Sequence, residues 1–494
     1  MKLQIETAHR QPPILKILGS LAEAGAVYEV CNKVAELRFA GCPTVCLDFS
    51  QVYGSAIGNA FALVEIATRE ANTTLISFDI PKSISRALGR CEMHPFLKIT
   101  PDRQSALEVA SSISNELIGA TGVLLCAGFG RRMGPLAHLF PKATLDFFGK
   151  SALARMTDHC ADHGVRQLAL NPGHLGNLIP KHIAENQTNR TNITYHPEGV
   201  WSDAAWIGKP IGSASALLNM YHHYHAISGD IIVMSANALT NINLREMMAY
   251  HRKSGADITI AANERPVQTT PKEDLIIAGH DDVVRSLGGK ADSRCAGSQL
   301  TNTGIIIISE AVLAEAKLEM GLDIKTDFLP SLLSMKRNIF VYRADFECLD
   351  IKSEKDYSDI LFDLLAHPRP WIKPVGKQVS KNTWVHEDAD IENIRTLKGP
   401  AYVGKNTFIH RSAHLKGPSV VGANCSLESH AFLKSSVLLD GTRMVASSKY
   451  DGVIAANGQI IYQSGVKPKD EFPEDPQSTK RDTQIQNAPL LQAS

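Results

Sequence analysis

Residues Ala127–Lys142 read AGFGRRMGPLAHLFPK. Glycines in such a run let backbone N–H groups approach and hold phosphate oxygens. Arg131 and Arg132 add positive charge at the same place. Lys142 follows Pro141, so its approach is stiffened. A polyphosphate that develops charge as it reacts needs this combination. The run follows the apolar stretch GVLLC, so the glycines lie where a strand turns. Two better-known phosphate motifs fail on spacing. GFGRRMG carries Met133 where a G-x-G-x-x-G dinucleotide fingerprint needs its last glycine. GKS at 149–151 ends like a P-loop, but the earlier glycine position holds Thr144. Neither a dinucleotide-dependent dehydrogenase nor a P-loop NTPase is supported.

The elements that must position this loop alternate. Before it come a strand-like VCLDF, a helical stretch with Ala60, Leu63, Val64 and Ala67 on one face, the strand TLISFDI and the helix SISRALGRC. That alternation implies a small sheet covered by helices. After the loop come the helix ALARMTDHCADHG, the strand RQLALN and the strands DIIVMSA, DITIAAN and GIIIIS. Strands separated by helices indicate a mainly parallel, doubly wound sheet.

From Thr383 the pattern changes to hexads: TWVHED, ADIENI, RTLKGP, AYVGKN, TFIHRS, AHLKGP, SVVGAN, CSLESH, AFLKSS, VLLDGT. The third residue is always Val, Ile or Leu. LKGP recurs at 397–400 and 415–418, an offset of three hexads. One hexad per side of a triangular coil has this period, which is that of a parallel β-helix. The expected organisation is an α/β unit over 1–118, a doubly wound α/β domain over 119–375, a left-handed hexapeptide β-helix over 376–464 and a disordered tail over 465–494 rich in Pro, Gln and charge.

Composition narrows the class. The 494 residues carry 51 basic and 51 acidic side chains, a formal charge of zero, which argues against a broad nucleic-acid surface. Nine scattered cysteines without a C-x-x-C pair read as reduced thiols rather than a disulfide framework or a zinc site. No run approaches 18 apolar residues and the N-terminus lacks a signal-peptide core, so a cytoplasmic protein without a membrane span is expected.

The segment 127–142 resembles the signature AGxGTRLxPLTxxxPK of the sugar-1-phosphate nucleotidyltransferases. Further pieces resemble that family in its order: IGSASAL at 211–217, IIVMSANALTNINL, TNTG at 301–304 and CLDIKSEKDY at 348–357. The resemblance covers about residues 119–445, and its mannose-1-phosphate guanylyltransferase branch also carries hexapeptide repeats. It implies in-line attack of a sugar phosphate on the α-phosphate of an NTP, assisted by Mg²⁺. Ala127, Gly128, Phe129 and Gly130 would cradle the nucleotide. Arg132 and Lys142 would be catalytic, meeting the departing and reacting phosphates. Gly212 and Ser213 would lie near the base. Asn302 would meet the sugar hydroxyls and Lys290 the sugar phosphate. Asp350 and the residue at 237 would hold the metal.

Departures from the family pattern fall on the site. Asn237 stands where the family has its first metal-binding Asp, and a neutral amide is a poorer Mg²⁺ ligand. Arg131 replaces Thr, Gly289 replaces Glu and Lys352 replaces the Gly after Asp-Ile. The N-terminal LDFSQVYGSAIGNAFALVEIA resembles a STAS domain, although the acceptor position of its switch loop is Ala56. A protein partner through that domain is expected, and a homo-oligomer through the hexad repeats.

GTP with mannose 1-phosphate is the leading substrate pair on family analogy, and glucose 1-phosphate with UTP or dTTP stays open. The alternative is a regulatory or scaffold protein that binds a nucleotide-sugar and turns it over poorly. Acyl transfer by the repeat region is a third, weaker idea.

Overall fold

The alternating strands and helices of the sequence assemble into three packed regions in the computed structural model. It describes residues 1–465 apart from 8–11, 40–41, 43, 71–73, 90–96, 116, 118, 187–190, 203–204, 265–273 and 289–297. The expected tail falls outside the described residues. Among those described, no helix is long and apolar enough to cross a membrane.

The first region is a five-stranded sheet in chain order, Lys2–Glu6, Ile14–Gly19, Thr44–Val52, Thr74–Phe78 and Lys98–Thr100. The first strand is antiparallel and the rest are parallel. Helix Ala56–Arg69 buries Ala60, Leu63 and Val64, as its spacing predicts. Ser55 caps that helix by accepting from Gly58 N–H at 3.1 Å.

The second region holds a nine-stranded sheet. Its centre is parallel: Ile231–Ser235 pairs Thr121–Leu125, which pairs Gln167–Leu170, which pairs Asn192–Tyr195. The long strand Ser298–Ile308 departs from the parallel expectation. It runs antiparallel to Ile231–Ser235, Ile258–Asn263 and Leu275–Ala278. The physical reason is the connection. Between Ile258–Asn263 and Ser298–Ile308 the described chain holds the hairpin Leu275–Ala278/Val284–Leu287 and no crossover helix, which a parallel return requires. Apolar clusters cover both faces, Val123, Leu217, Ile306 and Phe328 on one and Leu124, Leu153, Met156 and Ile232 on the other.

The third region is a coil of three sheets whose successive turns pair in parallel, one sheet ending at each edge in an antiparallel strand, Lys377–Ser380 and Gln459–Gln463. Thr383–Val385 pairs Ala401–Val403, which pairs Ser419–Val421, each step advancing by 18 residues as the repeat demands. The architecture is consistent with the expected β-helix. Val403, Ile409, Leu415, Val421, Leu427 and Leu433 are wholly buried inside it. The hexad frame does not continue unbroken to 442. Val421 pairs Leu438, not Leu439, so the period shortens by one residue after Leu433. Ser435 turns the chain there with φ 44°. Leu438 enters the coil core, while Leu439 faces the second region.

The outer face of one coil sheet is also apolar. Tyr402, Val420, Val437 and Ile454 stack in register and pack on Tyr357, Leu361 and Leu364 of helix Glu354–Ala366. At the other end, Arg245 is 1% exposed and donates to the carbonyls of Asp162 and His163 at 2.6 and 2.5 Å. These carbonyls close helix Ala152–His163, where a cation is favourable. Arg245 also donates to Thr74 Oγ1 of the first region at 3.0 Å.

Because each inward aliphatic of the coil is packed above and below by its neighbours, truncation leaves a cavity. Leu427→Ala is expected to cost about 2–5 kcal/mol, seen as a lower urea midpoint for the coil. His414→Ala, on the exposed side, should change that midpoint little.

Candidate nucleotide-phosphate site

Strand Thr121–Leu125 lies at the centre of the sheet and delivers the glycine loop at its carboxyl end, where open α/β sheets place their ligands. Cys126 N–H donates to Asn171 Oδ1 at 2.8 Å, which ties the loop to the neighbouring strand's end. Gly130 has φ 63°, a left-handed turn that starts the short 3₁₀ segment Arg131–Met133. Gly134 has φ 47°, and a Cβ there would stand 2.2 Å from Glu354 Oε1. The loop therefore closes directly on the segment that follows Asp350. Gly128 is different, because an added Cβ would meet nothing within 4 Å. Its open side faces a cleft.

That cleft has a volume of about 390 Å³ and is lined by Gly128, Phe129, Gly130, Arg131, Arg132, Lys142, Asn237 and Lys352 among others. Four of these are cations. Lys142 sits below the ordinary lysine range, chiefly because burial disfavours its charge. Asp350 counteracts that, while Arg132 and Lys352 push it further down. Cys126 also lines the cleft, but burial raises its thiol to about 12, so it is no nucleophile.

Asn237 and Asp350 are 113 residues apart, yet they meet because Ala238–Thr240 pairs antiparallel with Cys348–Asp350. Asn237 Nδ2 donates to Asp350 Oδ1 at 2.8 Å and to the Ile351 carbonyl at 3.3 Å. Asn237 Oδ1 accepts from Ser235 Oγ at 2.8 Å. Both partners of the amide nitrogen are acceptors only, so they fix which end of the amide faces Asp350. A divalent cation prefers carboxylate and carbonyl oxygens. Here the oxygen of Asn237 points to Ser235 and its N–H₂ occupies Asp350. Among the described residues, no group of three His, Cys, Asp or Glu could hold a metal ion. The two expected ligands are thus together, but their donor set does not fit a preformed divalent site.

The other expected residues lie elsewhere. Gly212 caps helix Ser213–His222, and Ser213 Oγ donates to Asp323 Oδ2 and accepts from Ile324 N–H, both at 2.8 Å. Neither lines the cleft beside the glycine loop. A separate cavity of about 250 Å³ lies nearby, lined by Glu198, Lys209, Ile211 and Asn219 among others. Glu198 is buried there, and burial raises its pKa although it accepts from Ile211 N–H and Asn171 Nδ2. Asn302 is buried, and its Oδ1 accepts from Gly304 N–H at 2.8 Å. Lys290 lies outside the described residues.

Lys352 is the residue whose place in the cleft the sequence signalled only as a departure from Gly. Its Nζ lies 3.3 Å from Asp274 Oδ2, while Lys325 Nζ holds Asp274 Oδ1 at 2.6 Å. Asp274 itself, with no motif around it, carried no signal.

The profile of the nucleotidyl transferase family matches residues 121–366. This segment is a nucleotidyl transferase domain. The domain's curated relatives act on different substrates by name. A UTP–glucose-1-phosphate uridylyltransferase of Synechocystis is 25% identical over 289 residues, 58% of this chain and 74% of the relative. A Sulfolobus acidocaldarius protein with a provisional mannose-1-phosphate guanyltransferase name is 22% identical over 289 residues, 58% of this chain and 72% of its own length. A glucose-1-phosphate adenylyltransferase of Vibrio parahaemolyticus is 24% identical over 281 residues, 51% of this chain and 68% of the relative. Nucleotidyl transferases of this kind generally use divalent metal ions.

Two outcomes follow for the nucleotidyl transferase loop. Gly128→Ala should leave the melting temperature unchanged and weaken pyrophosphate binding at least about tenfold, about 1.4 kcal/mol, by calorimetry, because its methyl fills the cleft and nothing else. The depressed Lys142 loses its proton at lower pH than an ordinary lysine. Phosphate affinity should therefore fall as pH rises through the alkaline range, and Lys142→Arg should move that fall upward.

Proposed function

We propose that the chain joins an NTP to a sugar 1-phosphate, forming an NDP-sugar and pyrophosphate. The observation that carries this reading is one cleft combining the open side of Gly128 with Arg132 and Lys142. An oxygen of the sugar phosphate attacks the α-phosphorus in line. The bond from that phosphorus to the bridging oxygen breaks, and its electron pair leaves with pyrophosphate. The attacking oxygen is already anionic, so no general base is needed. What the side chains supply is position and charge. Arg132 and Lys142 act as cations toward the reacting phosphates. Gly212, Ser213 and the neighbouring cavity are assigned to the base, Asn302 to the sugar hydroxyls and Lys290 to the sugar phosphate.

GTP with mannose 1-phosphate is the first pair to test, because a nucleotidyl transferase domain precedes hexad repeats. The uridylyl and adenylyl relatives put UTP and ATP with glucose 1-phosphate beside it. A STAS-type N-terminal domain that binds a protein partner, and self-association through the coil, complete the proposal. A second reading is favoured by the bond from Asn237 to Asp350, which occupies the carboxylate. In that reading the chain binds a nucleotide-sugar without efficient turnover.

A matrix of four NTPs and several sugar 1-phosphates, read by pyrophosphate release, separates the two. Turnover with one pair is the expected result, and Lys142→Ala should lower it about 100-fold or more. Tight binding of an NDP-sugar with no pyrophosphate from any pair would establish the second reading instead.

A further inference from the structure

We propose that Lys352 contacts the reacting phosphates and supplies there the positive charge that a divalent cation would otherwise provide. The inference rests on the nucleotidyl-transfer reading for its catalytic part and on the cleft alone for its binding part.

Three observations converge on it. Lys352 lines the same cleft as Gly128, Arg132 and Lys142. Its backbone is held by the Lys352 N–H bond to Asp356 Oδ2 at 3.2 Å, in the turn that caps helix Glu354–Ala366. Its ammonium is anchored but not consumed. Asp274 has a 7% exposed side chain and takes its shorter bond, 2.6 Å, from Lys325, leaving Lys352 at 3.3 Å with a 35% exposed side chain. An ammonium offers three N–H donors, and one contact to a shared carboxylate leaves donors for phosphate oxygens.

The metal position beside it is spoiled in the complementary way. Asn237 turns an amide N–H₂ toward Asp350, and Ile351's carbonyl, 3.3 Å from the same nitrogen, disfavours the opposite orientation. A divalent ion placed there would have one carboxylate and would face the Lys142 and Lys352 charges. Exchange of a carboxylate for an amide at 237, with an ammonium at 352, moves the local charge toward what bound metal gives. A fixed ammonium in a partly dehydrated cleft stabilises the charge developing on the pyrophosphate oxygens. The step is the one already written: the new P–O bond forms to the α-phosphorus, the old one breaks toward pyrophosphate, and no proton moves.

The test has two arms. In the first, pyrophosphate binding to the full-length chain is measured by calorimetry in EDTA, for the wild type, Lys352→Ala and Lys352→Arg. Binding by the wild type, at least about tenfold weaker in Lys352→Ala and largely kept in Lys352→Arg, is expected. Asp274 keeps Lys325 in both variants, and unchanged melting curves check that the fold survives. Equal pyrophosphate binding in wild type and Lys352→Ala would overturn the proposal whatever the enzyme does. In the same arm, Mn²⁺ alone should bind the wild type weakly and Asn237→Asp more tightly by electron paramagnetic resonance. Tight Mn²⁺ binding by the wild type would also overturn it. In the second arm, turnover of the pair found in the matrix is measured with Mg²⁺ and with EDTA. Wild-type turnover should persist in EDTA and fall about 100-fold in Lys352→Ala, and Asn237→Asp/Lys352→Gly should require the metal. Turnover abolished by EDTA in the wild type would sink this inference and leave nucleotidyl transfer standing. No turnover under any condition would sink nucleotidyl transfer, while the binding arm still decides Lys352.

Discussion

The pairing of Ala238–Thr240 with Cys348–Asp350 sets what the cleft beside the glycine loop contains. It is a ladder of three residue pairs, yet it joins the end of the central strand Ile231–Ser235 to a segment 113 residues away. Through it, Asn237 meets Asp350 and Lys352 enters the cleft opposite the glycine loop. Without that register, Arg132 and Lys142 would be cations on a surface turn, with neither an opposing carboxylate nor the burial that depresses Lys142.

The same short segment carries the site into the rest of the molecule. After Asp350 and Lys352, Ser353 caps helix Glu354–Ala366 by accepting from Asp356 N–H at 3.1 Å. Glu354 fills the space that Gly134 leaves open, locking loop and helix together. The buried face of that helix receives Tyr402, Val420, Val437 and Ile454 of the coil. A coil strand alternates its side chains, so Val403, Val421 and Leu438 fill the coil while their neighbours cover the helix. The repeat region therefore braces the element that presents Asp350 and Lys352. Interiors packed in this way transmit displacement rather than absorb it.

The charge balance of the cleft follows from two neighbouring exchanges. A carboxylate pair needs a cation between its members, because like charges at contact repel. An amide beside one carboxylate needs none and makes a hydrogen bond instead. Lys352 then adds a cation whose backbone the segment holds through Asp356 and whose ammonium reaches Asp274. In the polar network Ser235–Asn237–Asp350 both ends of the Asn237 amide are hydrogen-bonded, which favours one arrangement over alternatives.

Local chemistry made much of this legible in the residues. The glycine–arginine–lysine run, the helix faces at 60–64 and 153–160, and the 18-residue period all express nearest-neighbour rules: turn geometry, helical spacing and the stacking of one aliphatic per coil side. Residues 237 and 352 could be picked out as departures from a known pattern, and Asp350 as a match to it. The sequence could not say which end of the Asn237 amide faces Asp350, because that depends on a carbonyl brought in by strand pairing. Nor could it set the direction of Ser298–Ile308, which follows from the hairpin that leads into it, or the one-residue slip at Ser435, where Leu438 and Leu439 are equally apolar and only packing chooses between them. What spacing alone controls was in the sequence; what depends on segments a hundred residues apart meeting was decided by the tertiary structure.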